Sequence, residues 1–492
     1  MKDCGRSRGV VIRPARIVIR CGFFVCLVAF IFLPLDGAYA KKRDLEDSNL
    51  TAYLQLFNQV LEKIQSSYYD TEKIKPGPLI RAAIDGMLDS LDDQYTRLMV
   101  PQDYEDMQIK TQGKFGGVGM VIEKEDTAIR VVYPIAGTPA FNSGLQPGDL
   151  IVTIEGEPTD TLDVSGAADR LRGQPGTDVT ISVVHGKKKF DLTLKRATIP
   201  IESVTHDAID TGQGLYYLRI KDFTEHSARD VSDALKDLAS RGMTALVLDL
   251  RNNPGGLLDS ASEISDLFVD TGLLVYTRGR LPSQNRTFPS SRRTTYTGFP
   301  VVVLTNDHTA SGAEIVAGAI RDSGRGVLVG KRTFGKGVVQ SVYDHLSLEY
   351  AVTVTTATYY TPSGISIHKK GIPPDIEVEQ PPIGKEIQEA LYKIRGEDIV
   401  LEFTRNREKY DAADVAELVK ILEQKKIVVP EPYVRYLLRE QFMRKKGKNL
   451  VFDLDTDQQL QRAVEIVRTV FRIFQSSRSQ NPLANPTISR DK

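Results

Sequence analysis

Ser311 lies where a nucleophile could be placed, in "NDHTASGAEIVAGAI" directly after the β-branched run "PVVVLT". The run predicts a buried strand and the following segment has helical spacing, so Ser311 falls at a strand-to-helix junction. A serine hydroxyl there can attack a carbonyl carbon if a base takes its proton. The structural alternative is a capping box, because Ser311 and Glu314 fit the S-x-x-E pattern of a helix start.

The best candidate for that base is a lysine. Lys336 lies in "RTFGKGVVQ", between two glycines and before a β-branched run. Strand alternation would place Lys336, Val338 and Gln340 on one face, so the Gln340 amide oxygen could orient the amine without adding a charge. Burial would have to lower the lysine pKa, since only the neutral amine accepts a proton. The alternative is an ordinary surface lysine.

The six histidines offer a weaker base. His308 precedes Ser311 by three residues, too close to face it across a site, and the others lie in charged or loop-like contexts. The S-x-x-K match at 366–369 lies in a Gly- and Pro-rich segment, where a helix is not expected. No H-E-x-x-H motif occurs, which excludes a zincin, and neither a metal site nor a cofactor is expected.

An anion site is predicted beside the serine. "LVLDLRNNPGG" reads as a buried strand followed by a turn, in which Gly255 and Gly256 allow backbone N–H groups to converge. Together with the N–H of Gly312, which follows the serine, they could bind the oxygen of a tetrahedral intermediate. The sequence does not distinguish which of the two turn glycines contributes, and "NPGG" alone is only a turn.

Length, charge and cysteine positions narrow the class of protein. The chain has 492 residues, enough for about three domains. Lys+Arg and Asp+Glu are both 64, so no global field favours nucleic acid as a partner. All three cysteines, at 4, 21 and 26, precede residue 41. A chain that starts at Lys41 would therefore have no disulfide, cysteine nucleophile or thiolate metal site.

The N-terminus predicts export. Basic residues precede the apolar run "CGFFVCLVAFIFLPLDG", and "AYA" before Lys41 resembles a cleavage site, so residues 1–40 are predicted to be a signal peptide. The alternative is an uncleaved membrane anchor, although the apolar run is shorter than the roughly 20 residues of a typical span. Either interpretation places the remaining chain outside the cytoplasm, and we expect a periplasmic protein.

The elements that must position these residues change in type along the chain. Residues 41–112 predict amphipathic helices, and residues 113–199 a small, mostly β module. Residues 200–379 alternate strands with helices, which indicates an α/β core with a mixed sheet and flanking helices. Residues 380–492 predict a charged helical extension with a disordered tail.

Seven segments in order resemble the carboxyl-terminal processing (tail-specific) proteases, which are serine peptidases with a Ser-Lys catalytic pair. They are "LDDQYTRLM", "GKFGGVGM", "PAFNSGLQPGDLIVTIEG", "VLDLRNNPGG", "TASGAEI", "RTFGKGVVQ" and "YYTPSGISIHKKGIPPDIEV". The resemblance implies that Ser311 is the nucleophile, Lys336 the base and Gln340 the residue that orients it. It also implies that Gly312 with Gly256 or Gly255 forms the oxyanion hole.

The resemblance further implies that residues 113–199 form an inserted PDZ domain. Its carboxylate-binding loop would be "GGVG", comprising Gly116, Gly117, Val118 and Gly119, where a plain hairpin turn is the alternative. The implied partners are proteins or peptides with free C-termini. Assembly of the C-terminal helices into a homo-oligomer is also implied, and the need for an adaptor protein stays open.

Two functions follow from these observations. The first is an exported serine endopeptidase that recognises protein C-termini and cleaves through an acyl-enzyme. The second is a catalytically inactive PDZ scaffold with a protease-like fold. The presence of Ser311, Lys336 and Gln340 at workable positions favours the enzyme.

Overall fold

The structure, a computed structural model, describes residues 49–291 and 296–480. The predicted signal peptide, the three cysteines and residues 481–492 of the predicted disordered tail lie outside the described residues. The first residues of that predicted tail, 476–480, belong to the last helix of the chain instead, so the prediction was wrong there. The chain divides into two compact units, Met1–Ala82 and Ala83–Lys492. Within the described part, no helix is both long and apolar enough to cross a bilayer.

The first unit contains helix α1, Leu50–Ser67, and the start of helix α2, Pro76–Asp89. Asn49 caps α1, because its side chain accepts a hydrogen bond from the N–H of Ala52. The two helices confirm the prediction from amphipathic spacing interrupted by "KPGP". All residues of α1 are at least partly exposed.

The second unit begins within α2 and continues with strand β1, Arg97–Met99, and helix α3, Pro101–Gln112. A β-rich module follows. Its elements are β2 (Lys114–Gly117), β3 (Met120–Glu125), β4 (Ala128–Pro134), α4 (Pro139–Asn142), β5 (Leu150–Ile154), β6 (Glu157–Pro158), α5 (Val164–Leu171), β7 (Asp178–His185), β8 (Lys188–Lys195) and β9 (Ala197–Pro200). The sheet runs in the order β3-β4-β5-β7-β8, with β6 on β5, whereas β2 pairs with β9. Strand β3 therefore lies at one edge of the sheet.

The α/β core comes next. Its elements are β10 (Val204–Asp210), β11 (Leu215–Ile220), α6 (Ser227–Ser240), β12 (Ala245–Asp249), α7 (Leu258–Asp266), β13 (Leu273–Gly279), β14 (Thr287–Pro289), β15 (Val301–Thr305), α8 (Gly312–Asp322), β16 (Gly326–Gly330), β17 (Val338–Tyr343), β18 (Ala351–Tyr360) and β19 (Ile376–Glu377). One sheet has the order β10-β11-β12-β15-β16-β19, parallel from β11 onward. A second, antiparallel sheet has the order β1-β18-β13-β14, with β17 also on β18.

The main sheet is buried on both faces, which explains why its strands are apolar throughout. On β11, Tyr216 and Leu218 belong to the core cluster that includes α6, α7 and α8. Leu215 and Tyr217 belong to the opposite cluster, to which the last helix of the chain contributes. This alternation follows from the two-residue period of a strand. The predicted mixed-sheet α/β core with flanking helices is confirmed.

The C-terminal region is helical, as predicted. Its helices are α9 (Lys385–Gly396), α10 (Ile399–Thr404), α11 (Ala412–Gln424), α12 (Glu431–Lys445) and α13 (Gln458–Gln480). Helices α9 to α12 share a hydrophobic cluster of their own, whereas α13 packs on the main sheet. The region also contacts the β-rich module, where Arg130 bonds Asp398 at 2.9 Å and Tyr133 bonds Asn449 at 2.7 Å.

Candidate active site

The turn between β15 and α8 places Ser311 in an unusual backbone conformation. Ser311 immediately precedes α8 and has φ 54° and ψ −117°. Positive φ is uncommon for a residue with a side chain, and it persists only where the surrounding structure holds it. Here the Thr309 hydroxyl donates to the Leu250 carbonyl at 2.9 Å, and the Ala310 N–H donates to the Asn253 carbonyl at 2.9 Å.

The capping interpretation of Ser311 is only half right. The Glu314 carboxylate accepts the Ser311 N–H at 2.9 Å, as a capping box requires. The Glu314 N–H, however, bonds the Ser311 backbone carbonyl at 2.8 Å, and the serine side chain makes no cap hydrogen bond. The serine hydroxyl therefore does not cap the start of the helix.

Glu314 links the serine turn to the lysine loop. Its side chain is fully buried, and its Oε2 accepts the N–H of Lys336 at 2.8 Å as well as that of Ser311. Its Oε1 accepts the N–H of Gly335 at 2.8 Å and the Thr333 hydroxyl. One carboxylate oxygen thus holds the backbones of the candidate nucleophile and the candidate base side by side. Sequence reasoning assigned Glu314 only to capping and missed this role.

Lys336 is half-buried in the loop that precedes β17. Its Nζ lies over the Tyr95 ring, 4.9 Å from the centroid. Burial lowers the pKa of Lys336, and the positive charge of Arg97 adds to the effect, whereas Asp93 opposes it. This is the direction that a lysine needs to act as a base near neutral pH.

The predicted role of Gln340 stays a prediction. Its side-chain nitrogen donates to the Val338 carbonyl at 3.4 Å on the same strand. In the described residues, neither Gln340 nor the Ser311 hydroxyl forms a hydrogen bond with the amine of Lys336. Strand alternation alone does not extend to Lys336, because β17 begins only at Val338 and its pairing with β18 shifts register between Val339 and Gln340.

The turn after β12 places its glycines against the serine. A Cβ on Gly255 would lie 2.6 Å from the Cβ of Ser311, so the two turns are in close contact. The N–H of Gly255 donates to Asn253 Oδ1 at 2.8 Å. By contrast, the N–H groups of Gly256 and Gly312 have no acceptor among the described residues. Of the three predicted donors, these two are available to an anion, and Gly255 is not.

Tyr359 is a further residue that sequence reasoning missed. It is fully buried on β18, its hydroxyl donates to the Lys336 carbonyl, and it faces the Ser311 side chain. Burial raises the pKa of Tyr359 well above its ordinary value, so the group stays a neutral donor. Tyr359 begins the segment "YYTPSG", which belongs to the family resemblance. Periodicity could not show that β18 passes behind both candidate catalytic residues.

In the β-rich module, the predicted peptide-binding loop joins β2 to β3. The N–H groups of Val118 and Gly119 have no acceptor among the described residues. A cleft of about 110 Å³ opens beside them, and its apolar lining includes Val118, Met120 and Ile122 from the loop and β3 and Leu171 from α5. Apolar side chains at 118, 120 and 122 therefore line a cleft next to free amides.

Comparisons with known proteins agree with this architecture. Residues 214–378 match the model of peptidase family S41, and residues 130–184 match a PDZ domain model. The carboxyl-terminal-processing protease of Synechocystis sp. is 40% identical over 305 residues, which cover 61% of this chain and 71% of that protein. The carboxy-terminal-processing protease of Bartonella bacilliformis is 37% identical over 368 residues, 73% of this chain and 82% of that protein.

Among solved structures, the photosystem II D1 C-terminal processing protease aligns with a TM-score of 0.40 at 30% identity. The alignment covers 66% of this chain and 92% of that one.

Proposed function

This chain belongs to the carboxyl-terminal processing proteases of peptidase family S41 and is a serine peptidase, and on that premise we propose that it cleaves peptide bonds by a Ser-Lys acyl-enzyme mechanism. Ser311 is the nucleophile and Lys336 the general base. The observation that carries the proposal is the shared acceptor, since Glu314 Oε2 binds the backbone N–H of both residues at 2.9 and 2.8 Å.

The proposed chemistry begins with the neutral Lys336 amine, which takes the proton as Ser311 Oγ attacks the scissile carbonyl carbon. The N–H groups of Gly256 and Gly312 then donate to the oxyanion of the tetrahedral intermediate. As the intermediate collapses, Lys336 gives the proton to the leaving amine, and the acyl group stays on Ser311. Water, deprotonated by the same lysine, then attacks the ester carbonyl; as the bond to Ser311 Oγ breaks, the lysine returns the proton to that oxygen and the acid product leaves.

One movement is required by the observed geometry. The Lys336 amine lies over the Tyr95 ring and is not bonded to Ser311, so it must turn toward the serine when substrate binds. The lysine amine stands on a flexible four-carbon side chain, whereas the lysine backbone is fixed by Glu314. A contact between Gln340 and the amine would direct this turn.

Recognition of C-terminal ends is proposed for the PDZ domain. The free N–H groups of Val118 and Gly119 and the edge strand β3 support it, because a chain end can add to the edge while its carboxylate meets the amides. We also propose export to the periplasm from the features of residues 1–40. A homo-oligomer and an adaptor protein remain proposals that rest on the resemblance alone.

An active-site probe with peptide cleavage tests the proposal. A fluorophosphonate should label the full chain slowly but measurably, and should not label Ser311→Ala. Lys336→Ala should label far more slowly than the unchanged chain and should not cleave peptide. Labelling of Ser311→Ala equal to that of the unchanged chain would reject the nucleophile, and a chain that binds peptide but never cleaves it would indicate the scaffold.

A further inference from the structure

The segment "LDDQYTRLM", residues 91–99, has no part in the chemistry described so far, yet it is fixed beside the base. Strand β1, at its end, pairs antiparallel with β18. The Thr353 hydroxyl donates to the Tyr95 carbonyl at 2.9 Å, and the N–H of Thr355 donates to the Thr96 hydroxyl at 3.0 Å. Asp93 accepts the Tyr95 N–H at 3.1 Å. The backbone of Tyr95 is therefore held on the same strand that carries Tyr359.

The Tyr95 ring covers one side of the Lys336 amine. The distance from Nζ to the ring centroid is 4.9 Å, and the lysine is half-buried in a loop whose backbone is held by Glu314. A ring at this distance occupies space in which water would otherwise solvate the amine. Both backbones are fixed, so movement of the amine relative to the ring depends on rotation of the lysine side chain.

We propose that Tyr95 is a positioning residue for the base: its ring excludes water from the Lys336 amine at the place from which the amine turns toward Ser311. The inference deepens the proposed function and rests on Lys336 being the base.

Two effects of the ring oppose each other. The π face attracts an ammonium ion, which favours the charged form. Exclusion of water disfavours the charged form, which favours the neutral amine. The pKa of Lys336 is lowered, and burial is the largest cause. Loss of the ring should therefore admit water and raise the lysine pKa.

The other groups around the amine come from several elements. Arg97 on β1 lowers the lysine pKa, and Asp93 before β1 raises it. Further titratable groups near the loop are Glu314 from α8, Tyr359 from β18, His368, which packs against Gly337, and Lys369, whose N–H donates to the Gly335 carbonyl at 2.8 Å. Substitutions at Tyr95 leave all of these in place.

The test is the pH profile of kcat/KM for the full chain and for Tyr95→Phe, Tyr95→Leu and Tyr95→Ser. We expect Phe to keep the acid limb of the unchanged enzyme, Leu to move it to higher pH, and Ser to move it furthest. At a pH below the limb, the rate falls about tenfold for each pH unit of displacement. Because the working amine returns at high pH, kcat should recover there. Tyr392→Ser, at a tyrosine that is 82% exposed, is the matched control.

The pH profiles of the Tyr95 variants decide whether the ring has this role. Leu and Ser profiles that coincide with the unchanged one would overturn the role of Tyr95, and so would a limb displaced to lower pH. If Tyr95→Ser is unfolded in a thermal melt, the Leu variant decides alone. Lys336→Ala is run alongside, because full activity in that variant would reject the base itself, which is a separate failure from that of Tyr95.

Discussion

The backbone N–H of Lys336 donates to the buried carboxylate of Glu314 at 2.8 Å, so the position of the base is fixed from the helix that begins at the nucleophile. The contact uses the Glu314 side chain but only the backbone of Lys336. A buried carboxylate with four donors is costly to disturb, because each donor would lose a charge-assisted hydrogen bond.

Glu314→Gln should therefore damage both activity and stability. An amide has only one oxygen, so its NH₂ would face two N–H groups or the N–H of Gly335 and the Thr333 hydroxyl. We expect a loss of about 1–3 kcal/mol in the free energy of unfolding. A displacement of the catalytic groups by about 1 Å would lower kcat/KM by about a hundredfold. Chemical denaturation and peptide cleavage measure the two effects, with the exposed Glu263→Gln as control. Unchanged kcat/KM in the Glu314 variant would contradict the role.

Ser311→Ala should abolish cleavage and leave the fold intact. The hydroxyl does not cap α8, so its removal opens no helix end. Alanine is as strained as serine at φ 54°, which leaves the backbone cost unchanged. The free energy of unfolding should change by less than about 1 kcal/mol. Residual cleavage comparable to that of the unchanged chain would exclude Ser311 as the nucleophile.

Lys336→Ala and Lys336→Arg should both be inactive, since alanine offers no base and arginine does not deprotonate in proteins. In the unchanged enzyme the neutral amine is the working form. Because the pKa of Lys336 is lowered by burial and by Arg97, the rate should rise with pH through that lowered value.

Arg97→Gln tests how far the charge of Arg97 lowers the pKa of Lys336. Loss of the positive charge makes the ammonium form less unfavourable, so the lysine pKa rises and the acid limb moves to higher pH. Arg97→Lys keeps the charge and should keep the limb. Arg97 is exposed, so salt should weaken the difference between the two variants. A limb that moves to lower pH in Arg97→Gln would contradict the assignment.

Alanine substitutions should separate the two proposed oxyanion donors. Gly256 has φ 148°, and a Cβ there would lie 2.2 Å from the Phe223 carbonyl oxygen. Gly256→Ala should cost about 1–3 kcal/mol and displace the donor. At Gly312 the nearest atoms would be 3.2 and 3.3 Å away, and alanine favours a helix start, so Gly312→Ala should stay within about 1 kcal/mol. Activity assays and denaturation of both variants measure the contrast, and equal losses would contradict it.

Local patterns predicted the elements that carry the site but not the contacts between them. The buried strands β12 and β15 and the helix after Ser311 followed from local patterns. The Glu314 contact depends on how a loop of the second sheet folds back on α8, which no local pattern encodes.

The same limit applies to the glycine pair and to Tyr95. "NPGG" indicated a turn, but only the Asn253 side chain decides that Gly255 is occupied and Gly256 is free. The ring of Tyr95 reaches Lys336 from 241 positions away in the chain because β1 joins β18. Pairing between strands so far apart in the chain does not follow from any local sequence pattern.

Recognition of a substrate should depend on the free carboxylate at its C-terminus. Amidation of a peptide's C-terminus should weaken recognition by roughly 1–3 kcal/mol, because an amide has no charge to offer the free N–H groups of Val118 and Gly119. Apolar terminal residues should be preferred, since the adjoining cleft is lined by Met120 and Ile122. The measurement is kcat/KM for matched peptides with free and amidated ends. Equal values on the unchanged chain would reject C-terminal recognition.

A pair of variants tests whether that preference arises in the PDZ domain. Ile122→Asp puts a negative charge into the cleft on edge strand β3, where it should repel a terminal carboxylate and remove the preference for the free end. Phe190→Asp, on the opposite edge strand β8, is the matched control and should keep the preference. Thermal melts establish that both variants are folded. Cleavage of a short peptide that does not reach the cleft should be the same in both, because Ser311 and Lys336 are unchanged. Loss of the preference in both variants, or in neither, would place recognition outside this cleft.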